Sequence, residues 1–163
     1  MVELLVAVLV MGIGVLGVSA LQMVSLQNNR GALIRSEAVQ LGYDVLDRIR
    51  ANPVGDVPGR AYDGLDVGDE PPAAQDCVAR HCTQEEMVRF DQALWKCSLG
   101  GFENSSTCVA FRRSGVLPRF AQQPGLPGGD GSISVDGSGL VTVTVQWLEP
   151  NDTLASITLT SKG

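Results

Sequence analysis

Four cysteines and one histidine are the residues of this chain whose types and spacing could bind a metal. Cys77, Cys82, Cys97 and Cys108 lie close together in the sequence, and His81 directly precedes Cys82. The Cys-x4-Cys and Cys-x10-Cys spacings differ from the Cys-x2-Cys pairs that are usual in zinc sites. An even, clustered set of cysteines behind an apolar N-terminal segment is typical of disulfides in an oxidising compartment. The sequence therefore favours disulfides over a metal site.

Nucleophilic catalysis would also depend on this histidine. A Ser-His-Asp or Cys-His hydrolase uses an imidazole as its general base, and His81 is the only histidine in the sequence. His81 falls in a predicted loop, and the sequence identifies no partner that would orient its ring. We therefore expect no catalytic residue, no enzymatic activity and no cofactor.

Two further segments have the composition of ligand-binding loops but not their spacing. Asp63, Asp66, Asp69 and Glu70 lie in a predicted loop, residues 54–76, without the Asp-x-Asp-x-Asp-Gly order of a helix-loop-helix calcium site. The glycines of QPGLPGGDG lack the preceding strand and the following Lys-Ser/Thr helix start of a phosphate-binding loop. A solvated acidic loop and a turn into a strand are the predicted structures.

The charge balance argues against a nucleic-acid-binding protein. The chain has 18 Asp and Glu residues against 12 Lys and Arg residues, so its formal net charge is −6. Its longest basic run is the pair Arg112 and Arg113, and no local basic patch offsets the acidic total. We therefore expect no nucleic acid among the partners of this chain.

The N-terminal segment, residues 1–27, is apolar and contains one charged side chain, Glu3. From Leu4 to Leu26 no residue is charged, and at about 1.5 Å per residue a helix of this length crosses a bilayer core of roughly 30 Å. A signal peptide would instead begin with basic residues and end at a small-x-small cleavage site. We therefore predict a retained membrane helix. In such a helix Glu3 costs free energy unless a cation pairs with it or it reaches the aqueous interface.

The helix is predicted to continue beyond the membrane as an amphipathic helix. Its apolar positions recur at steps of three or four residues, with charged residues on the other faces: Ile34, Ala38, Leu41, Val45 and Ile49. Asn52-Pro53 provides the stop signal because proline cannot continue a helix. The expected domains are residues 1–27, the membrane half of the helix, and residues 28–163, a globular domain that includes its amphipathic half.

A second, shorter helix is predicted after the acidic loop. Thr83 with Glu86 three residues later forms a capping box, and the following apolar residues Met87, Phe90 and Leu94 share one face. This stripe indicates packing rather than a ligand site. Residues 97–131 are predicted to be loop.

The C-terminal residues are predicted to form a small sheet. In LVTVTVQWLE the apolar residues Val141, Val143 and Val145 alternate with polar ones, which is the period of a strand with one buried face. Together with SISV before it and TLASITLT after it, this segment predicts a three-stranded antiparallel meander. The apolar face of the meander needs a cover, and the long helix provides it. The predicted fold class is α+β.

Three stretches of the chain together resemble the minor pilins of type IV pili. MVELLVAVLVMGIGVLG, a glutamate before an unbroken apolar helix, is similar to the N-terminal segment of type IV pilins and of the pseudopilins of type II secretion. CTQEEMVRFDQALW and LPGGDGSISVDGSGLVTVTVQW resemble the cysteine-led short helix and the glycine-led strand pair of the PilV kind of minor pilin. The resemblance implies a pilin-like fold and a part in the priming or tip complex of a type IV pilus.

The resemblance also implies how the chain is processed and where it goes. A dedicated prepilin peptidase would remove a leader, and the new N-terminal aromatic residue would be methylated. The family's glutamate corresponds to Glu3, so the processed residue would lie two positions before Met1. We expect a chain held in the inner membrane, with its domain in the periplasm, that then joins the other minor pilins and the major pilin at the cell surface. The N-terminal ammonium of the adjoining pilin would pair with Glu3.

Two other functions remain open at this point. One is a minor pseudopilin of a type II secretion system. The other is a membrane-anchored periplasmic module that binds a ligand or adheres to a surface through its acidic and cysteine-bounded loops. The four cysteines allow three pairings, and we expect the one with the shortest loops, Cys77 with Cys82 and Cys97 with Cys108.

Overall fold

The computed structural model describes residues 2–119, 121–149 and 152–162. Over these residues the chain forms helices first and strands last, in this order: α1 (Val2–Ala51), a 3₁₀ turn (Arg60–Tyr62), α2 (Gln84–Leu99), α3 (Ser106–Ser114), β1 (Asp130–Val135), β2 (Leu140–Leu148) and β3 (Leu154–Lys162). A long N-terminal helix with a small antiparallel sheet is the predicted α+β fold, and this prediction is confirmed.

Helix α1 ends at the predicted stop signal. The Asn52 N–H donates to the Arg48 carbonyl over 3.1 Å, and Pro53 follows directly. The positions that α1 buries lie on one face: Ala38, Gly42, Val45, Leu46 and Ile49. Ile34 and Leu41 of the predicted stripe are only half-buried. In the middle turns of α1 the buried face is therefore shifted by about one residue from the predicted stripe, because Gly42 and Leu46 are buried there.

Contacts within the chain divide it into two compact units, Met1–Ser36 and Glu37–Gly163. Among the described residues, α1 is the one helix long and apolar enough to cross a membrane. The predicted boundary between residues 27 and 28 refers to the membrane surface rather than to contacts within the chain, and it stays a prediction.

The sheet is an antiparallel meander of the three strands that the structure describes, in the order β1-β2-β3. Val143 of β2 pairs with Ile133 of β1 on one side and with Leu159 of β3 on the other. β2 buries every second side chain: Val141, Val143, Val145 and Trp147. The predicted meander is confirmed, and so is the alternation along β2, where the polar residues between the buried ones are half-buried.

Two helices cover the buried face of the sheet. Gly42 of α1 lies against Leu159, and a Cβ atom at Gly42 would come within 2.5 Å of Leu159 Cδ1. Trp95 of α2 is fully buried against Gly131 and donates its indole N–H to the Leu41 carbonyl over 3.0 Å. The core therefore lies between the sheet and the residues of α1 and α2 that face it.

The prediction of a continuous loop over residues 97–131 is wrong, because α2 extends to Leu99 and α3 follows. The Ser105 side chain caps α3 by accepting the Cys108 N–H, and Phe111 packs edge to face against Phe90 with ring centroids 5.4 Å apart. A helix of 9 residues is too short for periodicity to reveal it, and tertiary packing supplies most of its stability.

Candidate assembly surface

The most extensive exposed apolar surface described in this structure is the N-terminal half of α1. Every large apolar side chain from Val2 to Leu26 is at least 54% exposed. A contiguous apolar surface of this extent is not stable in water, and it requires lipid or apolar side chains from other chains. The N-terminal unit is therefore suited mainly to packing against lipid or other chains through this surface.

Glu3 lies in the first turn of α1, at the end of this apolar surface. A carboxylate at a helix N-terminus is favoured by the exposed N–H groups and the helix dipole. Among the residues that the structure describes, no lysine or arginine forms an ion pair with Glu3. Its role in assembly stays a prediction.

The structure contains the disulfides Cys77–Cys82 and Cys97–Cys108, the pairing with the shortest loops. No described cysteine is a free thiol. The Cys77–Cys82 bond closes a surface loop in which His81 is exposed and Val78 is 75% exposed. The Cys97–Cys108 bond joins α2 to α3 inside a buried apolar cluster with Phe90 and Phe111. One disulfide therefore shapes a surface loop, and the other holds two core helices together.

Two acidic residues of the predicted loop, Asp63 and Asp69, accept backbone N–H groups. Asp63 Oδ1 accepts the Val135 N–H over 2.7 Å, and Asp69 Oδ2 accepts the Asp66 N–H over 2.8 Å. Within the described ranges no group of three or more His, Cys, Asp or Glu residues could hold a metal ion. Asp63 and Asp69 also line an open groove of about 550 Å³ together with Arg89 of α2.

The glycines before β1 form the predicted turn. Gly128 has a φ of 56°, and the neighbouring Gly129 packs so closely on the end of α2 that a Cβ atom would lie 2.0 Å from the Leu99 carbonyl oxygen. The segment fits against α2 because these positions have no side chain. It therefore positions β1 against the end of α2.

A buried polar cluster joins α1, the 3₁₀ turn and α2. The Tyr62 hydroxyl donates to Asp91 Oδ2 over 2.8 Å, and Arg48 Nη1 lies 3.3 Å from Asp91 Oδ1. Burial raises the pKa of the Asp91 carboxyl above its ordinary value, although the hydrogen bond from Tyr62 and the charge of Arg48 oppose this shift. Burial also raises the pKa of the Tyr62 hydroxyl. The cluster fixes the C-terminal end of α1 against the globular unit.

A second buried charge pair joins α2 to β1. Lys96 Nζ lies 2.6 Å from Asp130 Oδ1 and donates to the Asp66 carbonyl over 2.8 Å. Lys96 is fully buried, with Nζ 5.1 Å from the centroid of the Phe102 ring. Sequence reasoning missed both this pair and Asp91. The available signal was a charged residue within the apolar stretches of α2, since Asp91 follows Phe90 and Lys96 follows Trp95.

The model of the Tt1218-like family, described as type IV pilin Tt1218, matches residues 20–93 of this chain. The matched range extends from the apolar half of α1 into α2 and makes up somewhat less than half of the chain. No curated protein and no solved structure gave a significant match. The similarity supports placing the chain in the type IV pilin superfamily and supports a pilin role in general.

Proposed function

We propose that this chain, which is similar to type IV pilins over residues 20–93, is a minor pilin of the PilV kind that takes part in assembling a type IV pilus. The observation that carries the proposal is the exposed apolar surface of α1. The region matched by the family model begins at residue 20, within this surface. A pilin is a structural subunit, so the proposal requires packing surfaces rather than a catalytic site.

Two local features support the PilV subtype in particular. The capping box of the cysteine-led segment is present: Thr83 accepts the Glu86 N–H, and the Glu86 carboxylate accepts the Thr83 N–H over 2.8 Å. The glycine turn leads directly into the antiparallel pair of β1 and β2. Both motifs that resemble PilV therefore fold into the elements that the resemblance implies.

The proposed route begins in the inner membrane and ends in the pilus. Prepilin peptidase would remove the leader of the precursor, and the new N-terminus would be methylated. Residues 1–27 would anchor the chain in the inner membrane, with residues 28–163 in the periplasm. During assembly the apolar surface of α1 would exchange lipid for the corresponding helices of the major pilin and the other minor pilins.

Glu3 would direct this assembly by pairing with a cation on another chain. An ionised carboxylate in an apolar environment costs several kcal/mol when it has no partner. Since the described part of this chain provides no cationic partner, the N-terminal ammonium of an adjoining pilin would supply one and thereby set the axial position of the subunit. This pairing acts between chains and not on the fold of the globular unit.

The experiment is to replace Glu3 by alanine in the gene at its native locus and to measure how much of the chain copurifies with sheared pili. We expect Glu3→Ala to lower incorporation while the chain keeps wild-type abundance and intact disulfides. Glu37→Ala is the matched control, since Glu37 lies in the same helix but in the globular unit. Unchanged copurification of the Glu3→Ala chain would contradict the proposed role.

An adhesion or binding module is the second candidate function, and the closed loop between Cys77 and Cys82 favours it. This loop presents an apolar side chain, Val78, at 75% exposure beside the exposed His81. Deleting the gene distinguishes the functions: loss of pili supports the assembly role, whereas normal pili with reduced adhesion supports the module. A secretion defect with normal pili would instead indicate a pseudopilin of type II secretion.

A further inference from the structure

The two disulfides differ in how far a reductant in solution can reach them. Cys97 and Cys108 are 0% exposed and lie in the buried apolar cluster between α2 and α3. Cys77 and Cys82 are half-buried, and the four residues between them are all exposed. Thiol–disulfide exchange requires a thiolate to reach one of the two sulfurs of the bond. Of the two described disulfides, the folded chain therefore offers Cys77–Cys82 to such a thiolate.

The hydrogen bonds around Cys82 favour its release as a thiolate. Gln75 Nε2 donates to Cys82 Sγ over 3.6 Å, and Arg80 Nη1 donates to Gln75 Oε1 over 3.3 Å. The guanidinium charge polarises the Gln75 amide, which strengthens the N–H that this amide donates to the sulfur. A thiolate accepts such a bond more strongly than a disulfide sulfur does, because the acceptor is then charged. Arg80 and Gln75 thus form a relay that stabilises Cys82 Sγ once the S–S bond breaks.

The position of Cys82 in the sequence acts in the same direction. Cys82 directly precedes Thr83, the N-cap of α2, and the N-terminal end of a helix favours a nearby negative charge. The neighbouring His81 is exposed, and its ring adds positive charge when it is protonated. Two carboxylates of the same segment, those of Asp76 and Glu86, accept backbone N–H groups, which offset part of their negative charge. The surroundings of Cys82 therefore favour a thiolate at this sulfur.

Helix α2 does not need the Cys77–Cys82 bond for its start or for its packing. The capping box of Thr83 and Glu86 satisfies backbone N–H groups at its start, and the Cys97–Cys108 bond holds its other end to α3. A bond between cysteines with a sequence separation of 5 closes a short loop, so it restricts the unfolded chain less than a bond that closes a long loop. Breaking the Cys77–Cys82 bond should therefore free residues 77–82 and leave the core in place.

We propose that Cys77–Cys82 is a redox-sensitive site that undergoes thiol–disulfide exchange with a dithiol of another protein. One thiolate of that dithiol attacks Cys77 Sγ, the Cys77–Cys82 bond breaks, and Cys82 leaves as a thiolate and takes up a proton. The second thiol of the partner then attacks the mixed disulfide and releases Cys77 as a thiol. The partner is oxidised to its disulfide, and this chain gains two electrons and two protons.

The exchange controls the shape of the loop that presents Val78. In the oxidised chain the bond closes this loop, and Val78 is 75% exposed at its surface. In an oxidising compartment the disulfide is the resting form, and a reduced protein dithiol opens the loop. The globular unit keeps its fold in both forms, because the Cys97–Cys108 bond is out of reach of the dithiol.

The first test is partial reduction of the full oxidised chain in detergent, with dithiothreitol as the dithiol. Samples are quenched with acid at intervals, free thiols are labelled with N-ethylmaleimide, and the labelled peptides are mapped. We expect Cys77 and Cys82 to be labelled at least about tenfold faster than Cys97 and Cys108, because the second pair is buried in the folded chain. Equal rates for the two pairs, or faster labelling of Cys97 and Cys108, would overturn the proposal.

A protein dithiol tests which sulfur leaves. A thioredoxin whose second cysteine is replaced by serine cannot resolve the mixed disulfide, and iodoacetamide added after mixing blocks the released thiol of this chain. We expect the thioredoxin to be found on Cys77 and the block on Cys82. The reverse arrangement, or a thioredoxin that forms no mixed disulfide with this chain, would overturn the proposed exchange.

Gln75→Ala tests the relay. It removes the N–H donor to Cys82 Sγ and should slow the reduction of Cys77–Cys82 at least about threefold, because the leaving thiolate loses a hydrogen bond. Gln40→Ala is the matched control, since Gln40 is an exposed glutamine of α1, and it should leave this rate unchanged. Equal rates for the two variants would overturn the role of the relay.

Limited trypsin digestion tests whether reduction opens only the loop. After the freed thiols are blocked, cleavage behind Arg80 should become at least about fivefold faster, because the loop is no longer closed. Cleavage behind Arg48, which bonds to Asp91 of α2, should stay as slow as in the oxidised chain. Faster cleavage at Arg48 would show that reduction unfolds the globular unit, and an unchanged rate at Arg80 would show that the loop does not open; either result would overturn the proposal.

Discussion

Lys96 and Asp130 form an ion pair in the core that depends on both partners. Lys96 Nζ lies 2.6 Å from Asp130 Oδ1, and the other carboxylate oxygen accepts the Gly68 N–H over 2.7 Å. The Lys96 side chain is fully buried and the Asp130 side chain is only 12% exposed, so removing one charge leaves the other largely buried without compensation. The pair therefore acts as a unit that fixes α2, β1 and the acidic loop in one arrangement.

Lys96→Met should lower the free energy of unfolding by about 3–5 kcal/mol, because it leaves Asp130 buried without its counter-charge. Lys162→Met is the matched control, since Lys162 is the only other lysine and is exposed at the end of β3. Chemical denaturation of the full chain in detergent measures both variants. Equal stabilities for the two variants would show that the Lys96 pair does not stabilise the fold.

Asp91 should make the stability depend on pH. Its pKa is raised above the ordinary value of 3.8, so its contribution to stability is fully present below that value and is lost as the pH rises through the pKa of the folded state. The stability of the wild type relative to Asp91→Asn should therefore fall as the pH rises from the ordinary pKa towards neutrality. Unfolding curves at several pH values test this, and a relative stability that rises with pH would contradict the raised pKa.

Gly129 should tolerate no side chain. A Cβ atom there would lie 2.0 Å from the Leu99 carbonyl oxygen, which belongs to the backbone and cannot rotate away. We expect Gly129→Ala to cost about 1–3 kcal/mol of stability. Gly137→Ala is the control, because a Cβ atom at Gly137 meets no atom within 4 Å. Thermal unfolding of both variants measures this loss of stability. An unchanged unfolding midpoint for Gly129→Ala would show that the close packing on α2 is not required.

At the scale of elements, the two disulfides have different roles. Cys97–Cys108 joins two helices inside a buried cluster, whereas Cys77–Cys82 closes a loop of exposed residues. Replacing both Cys97 and Cys108 by serine should cost about 2–4 kcal/mol, and replacing both Cys77 and Cys82 should cost less. Peptide mapping without reduction checks the pairing first, and denaturation then compares the variants. Cross-pairing, or a larger loss for the loop disulfide, would contradict this assignment.

The elements that could be predicted from the sequence are those with a long regular pattern. α1 and β2 repeat their apolar residues over several turns or alternations, and proline or glycine marks their ends. α3 could not be predicted, because its one buried aromatic residue, Phe111, is explained only by Phe90 on another helix. The charge pairs of Asp91 and Lys96 were missed for the same reason, since their partners are distant in sequence.

At the scale of the whole molecule, the chain combines a unit with an exposed apolar surface and a unit with a complete core. The first unit has to pack with lipid or with other chains, and the second has two disulfides, the buried ion pair of Lys96 with Asp130 and a covered sheet to hold its own fold. A subunit that moves from a membrane into a filament needs this combination. The match to a type IV pilin over residues 20–93 agrees with it.

Quantitative mass spectrometry of sheared pili tests the proposed function most directly. We predict that peptides from residues 28–163 occur in the pilus fraction at a small, constant ratio to the major pilin, and that deleting the gene lowers the number of pili. A chain that stays wholly in the inner-membrane fraction, in cells whose pili are unaffected by the deletion, would contradict the account.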